Sequence, residues 1–191
     1  MIIYLHGFAS SGNSEKVTAL KERFGEQNVI APDLPIDPTE VENLVRNIIR
    51  EQFALNSFGT RIVFVGTSLG AFYAGFCATK FDCPAVIVNP SVQPNITLLP
   101  KLGRNVNHVT KEEFYLTLVH LETLREMREY FTENYQGSLY HLFAAKDDEV
   151  IPYEEMLAWY KYTASTTVTE TGKHRFEDNW NLVLDKISEI Q

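Results

Sequence analysis

Short apolar runs alternate with amphipathic segments along most of the chain. The segments between the runs place apolar residues three or four positions apart, which is typical of helices that pack by one face. The first helix is expected to begin near Asn13 or Ser14 and to end at Gly25. Asp37 and Pro38 start the second, whose apolar face is Val41, Leu44, Val45, Ile48, Ile49 and Leu55. The runs themselves predict strands at residues 1–5, 28–31, 61–65, 84–89, 139–145 and 166–170.

The predicted strands are mostly continuous in their apolar character rather than alternating. Strands of this kind are buried on both faces, which indicates a parallel sheet with helices on each side. We therefore predict an α/β fold with a mostly parallel six-stranded sheet. At 191 residues, 45% of them hydrophobic, the chain 1–191 is expected to form a single domain.

The alternation breaks after the fourth predicted strand, at residues 91–137. This segment starts with a loop containing Pro94 and Pro100, and a long helix is predicted to open at residues 110–113. We interpret the segment as a helical insert and a possible lid. The predicted helix carries an apolar series: Phe114, Leu118, Leu121, Leu124, Met127 and Phe131.

The sequence Gly66-Thr-Ser-Leu-Gly70 lies between a predicted strand and a predicted helix. In this context the pattern G-x-S-x-G is typical of a nucleophile elbow, a sharp turn that exposes the serine hydroxyl. Glycines on both sides of Ser68 leave room for such a turn. The alternative is an ordinary turn from strand to helix that happens to contain two glycines.

A serine hydroxyl needs a base and a group that orients the base before it can act as a nucleophile. His174 follows the last predicted strand and Asp148 the penultimate one, so the order Ser68, Asp148, His174 is that of α/β-hydrolases. Asp147 remains an alternative to Asp148 as the acid that orients His174. The acidic residues 147–149 could also form a solvated turn, and one of them is expected to cap the helix at Tyr153.

The loop His6-Gly7-Phe8 follows the first predicted strand. Loops of this form commonly supply one backbone N–H of an oxyanion hole, and the residue after the nucleophile supplies the other. We therefore predict the amides of Phe8 and Leu69 as oxyanion donors. The side chain of His6 is expected to fix its loop by hydrogen bonding.

Composition and net charge argue against several classes of partner and ligand. A net charge of −8 argues against nucleic acid or an anionic membrane as partner. There is no apolar run long enough to span a bilayer, and no signal peptide is recognised, so a cytoplasmic protein is expected. Cys77 and Cys83 lack zinc spacing and are interpreted as buried apolar residues. The other histidines, His108, His120 and His141, have no ligand partners at suitable spacing, and neither metal nor cofactor is predicted.

With these residues identified, the chain resembles the YqiA-like family of small bacterial α/β-hydrolase esterases. The resemblance implies a compact α/β-hydrolase fold without the first two strands of the larger enzymes, and a cytoplasmic, metal-free esterase or thioesterase. Thr67 and Ala71 depart from residues common in the family, and Asp147 replaces a usual glycine. The residues that carry the likeness are 4–8 with Ser10 and Ser11, 66–70, 88–90 with Val92 and Pro94, 148–150, Gly172, His174 and Phe176.

These observations predict a serine hydrolase acting on small acyl esters or thioesters through an acyl-enzyme. A transacylase or a carbon–carbon hydrolase on the same three residues remains an alternative, as does an inactive hydrolase fold that serves protein interaction. The oligomeric state stays open. Candidate residues of the substrate pocket, which could equally be core, are His6, Phe72, Leu98, Leu99 and Phe114.

Overall fold

The computed structural model describes residues 1–55 and 61–191 of the chain. Among the described helices, none combines the length and the apolar character needed to cross a membrane. The strands are β1 Ile2–Leu5, β2 Val29–Ile30, β3 Val63–Thr67, β4 Ala85–Val88, β5 Gly103–Val106, β6 Glu113–Leu116, β7 Tyr140–Ala145 and β8 Ser165–Thr169. The α-helices are α1 Glu15–Phe24, α2 Pro38–Leu55, α3 Leu69–Phe81, α4 Pro94–Thr97, α5 Leu118–Glu133, α6 Tyr153–Trp159 and α7 Trp180–Ile190.

The main sheet has six strands in the order β2-β1-β3-β4-β7-β8, and every neighbouring pair is parallel. The predicted α/β fold with a parallel six-stranded sheet is therefore confirmed. The chain reverses its direction of travel across the sheet between β1 and β3. In open parallel sheets, ligands bind beyond the carboxyl ends of the strands at such a switch point.

Helices cover both faces of the sheet. On one face, α2, α3 and α5 bury apolar side chains against β1, β3, β4 and β7. On the other, α1 and α7 pack against alternate residues of the same strands. Val41, Val45, Ile48 and Ile49 are buried as the helical spacing predicts, Leu44 packs at the edge of the core, and the side chain of Leu55 lies outside the described part.

The first two helices begin as the sequence predicts. Ser14 is the N-cap of α1, where its hydroxyl accepts a hydrogen bond from the Val17 amide, and Gly25 ends the helix with φ 89°. Asp37 accepts a hydrogen bond from the Thr39 amide over 2.8 Å at the start of α2. These side chains satisfy amides that have no partner inside the helix.

The prediction that a helix opens at residues 110–113 is wrong. Residues 113–116 form β6, which pairs antiparallel with β5, and α5 begins only at Leu118. Exposure alternates along β6, with Leu116 buried and its neighbour Tyr115 exposed, which is the period of a strand. Thr117 is the true N-cap, and its hydroxyl accepts from the His120 amide over 3.3 Å.

The remainder of the insert follows the sequence pattern. Leu121, Leu124, Met127 and Phe131 of α5 are buried against the sheet, whereas Leu118 is exposed. The insert after the fourth sheet strand thus combines a β-hairpin with a long helix. The hairpin carries Phe114, which contacts Phe8 ring edge to face at 5.5 Å.

The two cysteines differ in their surroundings. Cys77 on α3 is buried, Cys83 beyond the end of α3 is half-buried, and both are free thiols. Burial raises the pKa of each thiol. Neither thiol is therefore primed to act as a nucleophile.

Candidate active site

Ser68 occupies the sharp turn between β3 and α3. Its backbone has φ 57° and ψ −123°, a strained conformation for a residue with a side chain. A Cβ on Gly66 would lie 2.2 Å from the carbonyl oxygen of Gly70, and a Cβ on Gly70 would lie 2.0 Å from that of Leu5. The turn therefore requires glycine at both positions, and it presents Ser68 at the carboxyl edge of the sheet.

The side chains of Ser68, His174 and Asp148 form a continuous hydrogen-bonded chain. The Nε2 atom of His174 lies 2.9 Å from Oγ of Ser68, and Nδ1 lies 2.9 Å and 3.0 Å from the two carboxylate oxygens of Asp148. The Asp148 side chain has no exposed surface and that of His174 is 17% exposed. With the proton on Nδ1, the imidazole donates to the carboxylate and accepts from the serine hydroxyl.

The neighbouring acids bind backbone rather than the imidazole. Asp147 accepts from the Lys173 amide over 2.8 Å, and Glu149 accepts from the His174 amide over 3.0 Å. Both side chains are on exposed residues. The structure therefore brings Asp148, not Asp147, to the ring of His174, and the other two acids hold the loop that carries it.

The prediction that one of these acids caps the helix at Tyr153 is wrong. The N-cap of α6 is Pro152, which has no side-chain hydrogen bond to the helix. Asp148 instead accepts from the amides of Val150 and Ile151, over 2.8 Å and 2.9 Å. These bonds form a tight turn that fixes the carboxylate beside His174.

Asn89, which lies in a segment that carries the family resemblance, is a site residue whose role the sequence pattern did not predict. It is fully buried at the end of β4, with φ 44°. Its side-chain amide donates to the carbonyl oxygens of Lys173 and His174, and its Oδ1 accepts from the Ala145 amide. The available signal was an asparagine at the end of a predicted buried strand, because a polar side chain buried there must find hydrogen-bond partners.

His6 fixes the loop after β1, as predicted. It is buried; its Nδ1 bonds to the Gly7 carbonyl oxygen and its Nε2 accepts from the Leu34 amide, each over 2.9 Å. Desolvation by burial lowers the pKa of His6, although the Gly7 carbonyl and the charge of Asp33 oppose this. A neutral imidazole matches both hydrogen bonds, since Nε2 must carry a free lone pair.

The amides of Phe8 and Leu69 stand beside the serine. Both residues line the same cleft as Ser68, and Leu69 is the first residue of α3. Within residues 1–55 and 61–191, neither amide finds a hydrogen-bond acceptor in the protein. Two N–H groups without an acceptor beside a serine hydroxyl, one of them at the positive end of a helix, can stabilise a developing negative charge.

A cleft of about 540 Å³ opens on Ser68 and His174. Leu98, Val109 and Ile151 supply apolar wall, while Ser14 and Thr67 supply hydroxyls. A second cavity of about 200 Å³ shares the wall formed by residues 7–10 and Leu69. The hydroxyl of Ser68 therefore lies in a space large enough for a small organic substrate.

The proposed pocket residues are divided between these spaces and the core. Leu98 lines the cleft of Ser68, and His6 and Phe114 line the second cavity. Phe72 is 1% exposed and lies in the core instead, because α3 is surrounded by protein on all sides. Leu99 is 47% exposed and contacts neither cavity, because it projects from the short turn after α4.

The remaining histidines lie on the surface or on a strand, as predicted. His120 caps α5, His141 lies on β7, and His108 is exposed. His108 also lines the cleft of Ser68, which was not predicted, because it was expected in a loop before a helix and not in the turn of a β-hairpin. In the part of the chain that the structure describes, no three His, Cys, Asp or Glu side chains are grouped to hold a metal ion.

The fold is similar to those of solved hydrolases. Est1E from Butyrivibrio proteoclasticus matches with a TM-score of 0.72 and 17% identity, over 98% of this chain and 85% of that one. A monoacylglycerol lipase from Paleococcus ferrophilus matches with a TM-score of 0.74 and 12% identity, over 100% of this chain and 94% of the lipase. The esterase Pf2001 from Pyrococcus furiosus matches with a TM-score of 0.66 and 16% identity, over 99% of this chain and 82% of the esterase. At these identities the likeness establishes the α/β-hydrolase fold.

Curated relatives share more sequence with the chain over a shorter segment. A UPF0227 protein of Pectobacterium atrosepticum is 31% identical over 106 residues, which are 54% of this chain and 58% of the relative. One of Shewanella woodyi is 27% identical over 106 residues, with the same coverage. The sequence model of the uncharacterised protein family UPF0227, the YqiA family, matches residues 1–188. The resemblance found in the sequence is confirmed, and the chain belongs to family UPF0227.

Proposed function

We propose that this protein is a serine hydrolase that cleaves carboxylic esters or acyl thioesters. The observation that carries the proposal is the hydrogen-bonded chain from Ser68 through His174 to Asp148, with Ser68 on a strained elbow. An esterase and a lipase among the proteins of similar fold support the same class of reaction. A nucleophile, a base and an orienting acid are the groups that acyl transfer needs.

In the proposed mechanism, Oγ of Ser68 attacks the acyl carbon while Nε2 of His174 takes its proton. The carboxylate of Asp148 holds the imidazole and stabilises its positive charge. The resulting oxyanion accepts hydrogen bonds from the amides of Phe8 and Leu69. The imidazolium then protonates the leaving alcohol or thiol, and an acyl-enzyme forms. Water then gives a proton to His174 and attacks the acyl carbon. The bond from that carbon to Oγ breaks, the imidazolium returns the proton to Ser68, and the carboxylic acid leaves.

The insert 91–137 is proposed to form a wall of the acyl site. Leu98 and Lys101 from its first part line the cleft of Ser68, as do His108 and Val109 from the hairpin turn. The hairpin is hydrogen-bonded to the loop after β1 that carries Phe8. The Asn107 side chain donates to the Ser10 carbonyl oxygen over 2.7 Å, and the His108 amide donates to the Ala9 carbonyl oxygen over 2.8 Å. A Leu98→Ala variant is expected to shift the preferred acyl chain length. An unchanged dependence of the rate on acyl chain length would argue against Leu98 as part of a wall of the acyl site.

Turnover of p-nitrophenyl esters and of acyl thioesters of several chain lengths tests the proposal. Ser68→Ala should lower kcat by about 10⁴ or more, because the nucleophile is lost while the fold is kept. Ser10→Ala, a serine of the same cleft outside the proposed mechanism, is the matched control. Equal activity of Ser68→Ala and the wild type would overturn the proposal.

A further inference from the structure

The cleft of Ser68 carries charge of the opposite sign to the protein as a whole. The chain has 17 lysines and arginines against 25 acidic residues, a net charge of −8. Yet the charged residues that line the cleft are Lys16, Lys101 and Arg175, and its described walls include no Asp or Glu. An acidic protein repels anions at long range, so a cationic cleft is a specific local feature.

Lys16 is the most constrained of these three cations. It lies in the first turn of α1, half-buried, and its ammonium is 5.5 Å from the centre of the Trp180 ring. Among residues 1–55 and 61–191, no carboxylate lies within 4.0 Å of this ammonium. Burial lowers the pKa of Lys16; the charges of Glu177 and Glu15 oppose this, and that of Arg175 adds to it.

The other two cations are placed differently. Arg175 follows His174 directly, its side chain is 77% exposed, and its Nε donates to Glu177 over 2.7 Å. Lys101 is exposed at the end of a short turn after α4. Arg175 thus already has a carboxylate partner, whereas the ammonium of Lys16 lies against an aromatic ring, with no carboxylate within 4.0 Å in the described part of the chain.

Polar groups that can share an anion with Lys16 line the same cleft. They are the hydroxyls of Ser14 and Thr67, and that of Thr67 lies 3.2 Å from the Tyr4 hydroxyl. A partly desolvated ammonium without a carboxylate costs folding free energy that an anionic ligand would offset. A substrate formed only of neutral groups would gain nothing from this arrangement.

We infer that the substrate carries an anionic group, a carboxylate or a phosphate, which Lys16 binds in the cleft of Ser68. This rests on the proposed hydrolase function and specifies its substrate class. The anion can lie on the acyl group or on the leaving group. Lys16 is then a specificity-determining residue that contacts substrate away from the bond that breaks.

Two pairs of substrates distinguish the position of the anion. The p-nitrophenyl monoester of adipic acid and p-nitrophenyl hexanoate differ by a carboxylate on the acyl group. S-Hexanoyl-4′-phosphopantetheine and S-hexanoylpantetheine differ by a phosphate on the leaving group. The wild type should prefer the anionic member of at least one pair by roughly tenfold in kcat/KM, as expected for one charge-assisted hydrogen bond.

Lys16→Gln should reduce that preference by roughly tenfold, and Lys16→Arg should retain most of it, because the cation is kept. Lys21→Gln on the same helix, where Lys21 pairs with Glu26 at 3.4 Å, is the matched control and should keep the preference. Since each preference is a ratio within one variant, a general loss of stability cancels. Equal rates within both pairs, or a preference unchanged in Lys16→Gln, would overturn the inference.

Calorimetric titration separates this inference from the proposed function. Ser68→Ala and the double variant Ser68→Ala with Lys16→Gln are titrated with the same four compounds. Tighter binding of an anionic member, weakened by Lys16→Gln, supports the anion site even if the wild type hydrolyses none of them. In that case only the hydrolase proposal fails.

Discussion

The side-chain amide of Asn89 donates a hydrogen bond to the backbone carbonyl of His174 over 3.1 Å. The same amide reaches the carbonyl of Lys173, and its oxygen accepts from the Ala145 amide on β7. Asn89 thus joins the ends of two central strands to the loop that carries the proposed base. We therefore expect the distance between His174 and Ser68 to depend on this buried junction as well as on Ser68, His174 and Asp148 themselves.

Removing the Asn89 amide should loosen the His174 loop. We expect Asn89→Ala to lower the free energy of unfolding by about 2–4 kcal/mol, because buried polar groups lose their partners, and to lower kcat more than it raises KM. Urea unfolding and ester turnover measure the two effects. Asn134→Ala, which removes an exposed bond to the Tyr130 carbonyl, is the control. Equal effects of the two variants would contradict the role of Asn89.

The two adjacent aspartates should differ sharply in their effect on rate. Asp148→Asn should lower kcat by about 10⁴, since an amide can no longer hold the required tautomer of His174. Asp147→Asn keeps an oxygen that can accept from the Lys173 amide and removes only a negative charge on an exposed residue, so it should change kcat by less than roughly tenfold. The reverse ranking in steady-state kinetics would reassign the acid to Asp147.

His6 should make the fold sensitive to acid. Its pKa is lowered in the folded protein from the ordinary value of 6.5, so the unfolded state binds the proton more readily. Stability from this group is fully present above about pH 6.5 and is lost as the pH falls below that value. Protonation would also remove the acceptor of the Leu34 amide.

Urea unfolding at pH 8 and at pH 5.5 measures this effect. The loss of unfolding free energy between the two pH values should be smaller in His6→Gln than in the wild type. His141, whose pKa burial and Lys186 also lower, contributes in the same direction, so His141→Gln should remove a separate part of the loss. Identical losses in His6→Gln and the wild type would show that His6 is not responsible.

The close approach of α3 to β1 predicts a severe effect of one methyl group. A Cβ at position 70 would lie 2.0 Å from the Leu5 carbonyl oxygen, so Gly70→Ala must displace the elbow from the sheet. We expect the free energy of unfolding to fall by about 3 kcal/mol or more, and the activity to be lost as well. Gly103→Ala, at φ 94° but in open space, should cost only about 1 kcal/mol. Thermal unfolding compares the two; similar costs would mean that the elbow adapts.

The sheet and the residues at its carboxyl edge could be predicted because local signals are strong there. Continuous apolar runs identify parallel strands. Ser68 directly follows β3, and Asp148 and His174 lie three and five residues beyond the ends of β7 and β8. Parallel strands bring their carboxyl ends to one edge, so order along the chain was sufficient to expect proximity. The helix starts at Ser14 and Asp37 were equally readable, because a capping side chain acts within a few residues.

The insert was harder to predict because its structure depends on pairing within the segment. Phe114 fits the helical spacing of α5, yet residues 113–116 pair with 103–106, and the helix begins only after its N-cap Thr117. Phe72 is aromatic, as many pocket residues are. All sides of α3 are buried, however, so the spacing of apolar residues does not distinguish a face of this helix that lines a pocket from one that lies in the core. The contacts of Asn89 and Lys16 are long-range in sequence, which a pattern along the chain does not report.

Labelling by a fluorophosphonate probe tests whether Ser68 is a nucleophile, because the probe reacts with a serine that a neighbouring base activates. We expect the wild type to be labelled on Ser68, Ser68→Ala to remain unlabelled, and His174→Gln, which lacks the base, to be labelled far more slowly. Ser10→Ala should label like the wild type. A folded wild-type protein that takes no label, or a Ser68→Ala protein that labels equally, would contradict nucleophilic catalysis by Ser68 and favour an inactive hydrolase fold that serves protein interaction.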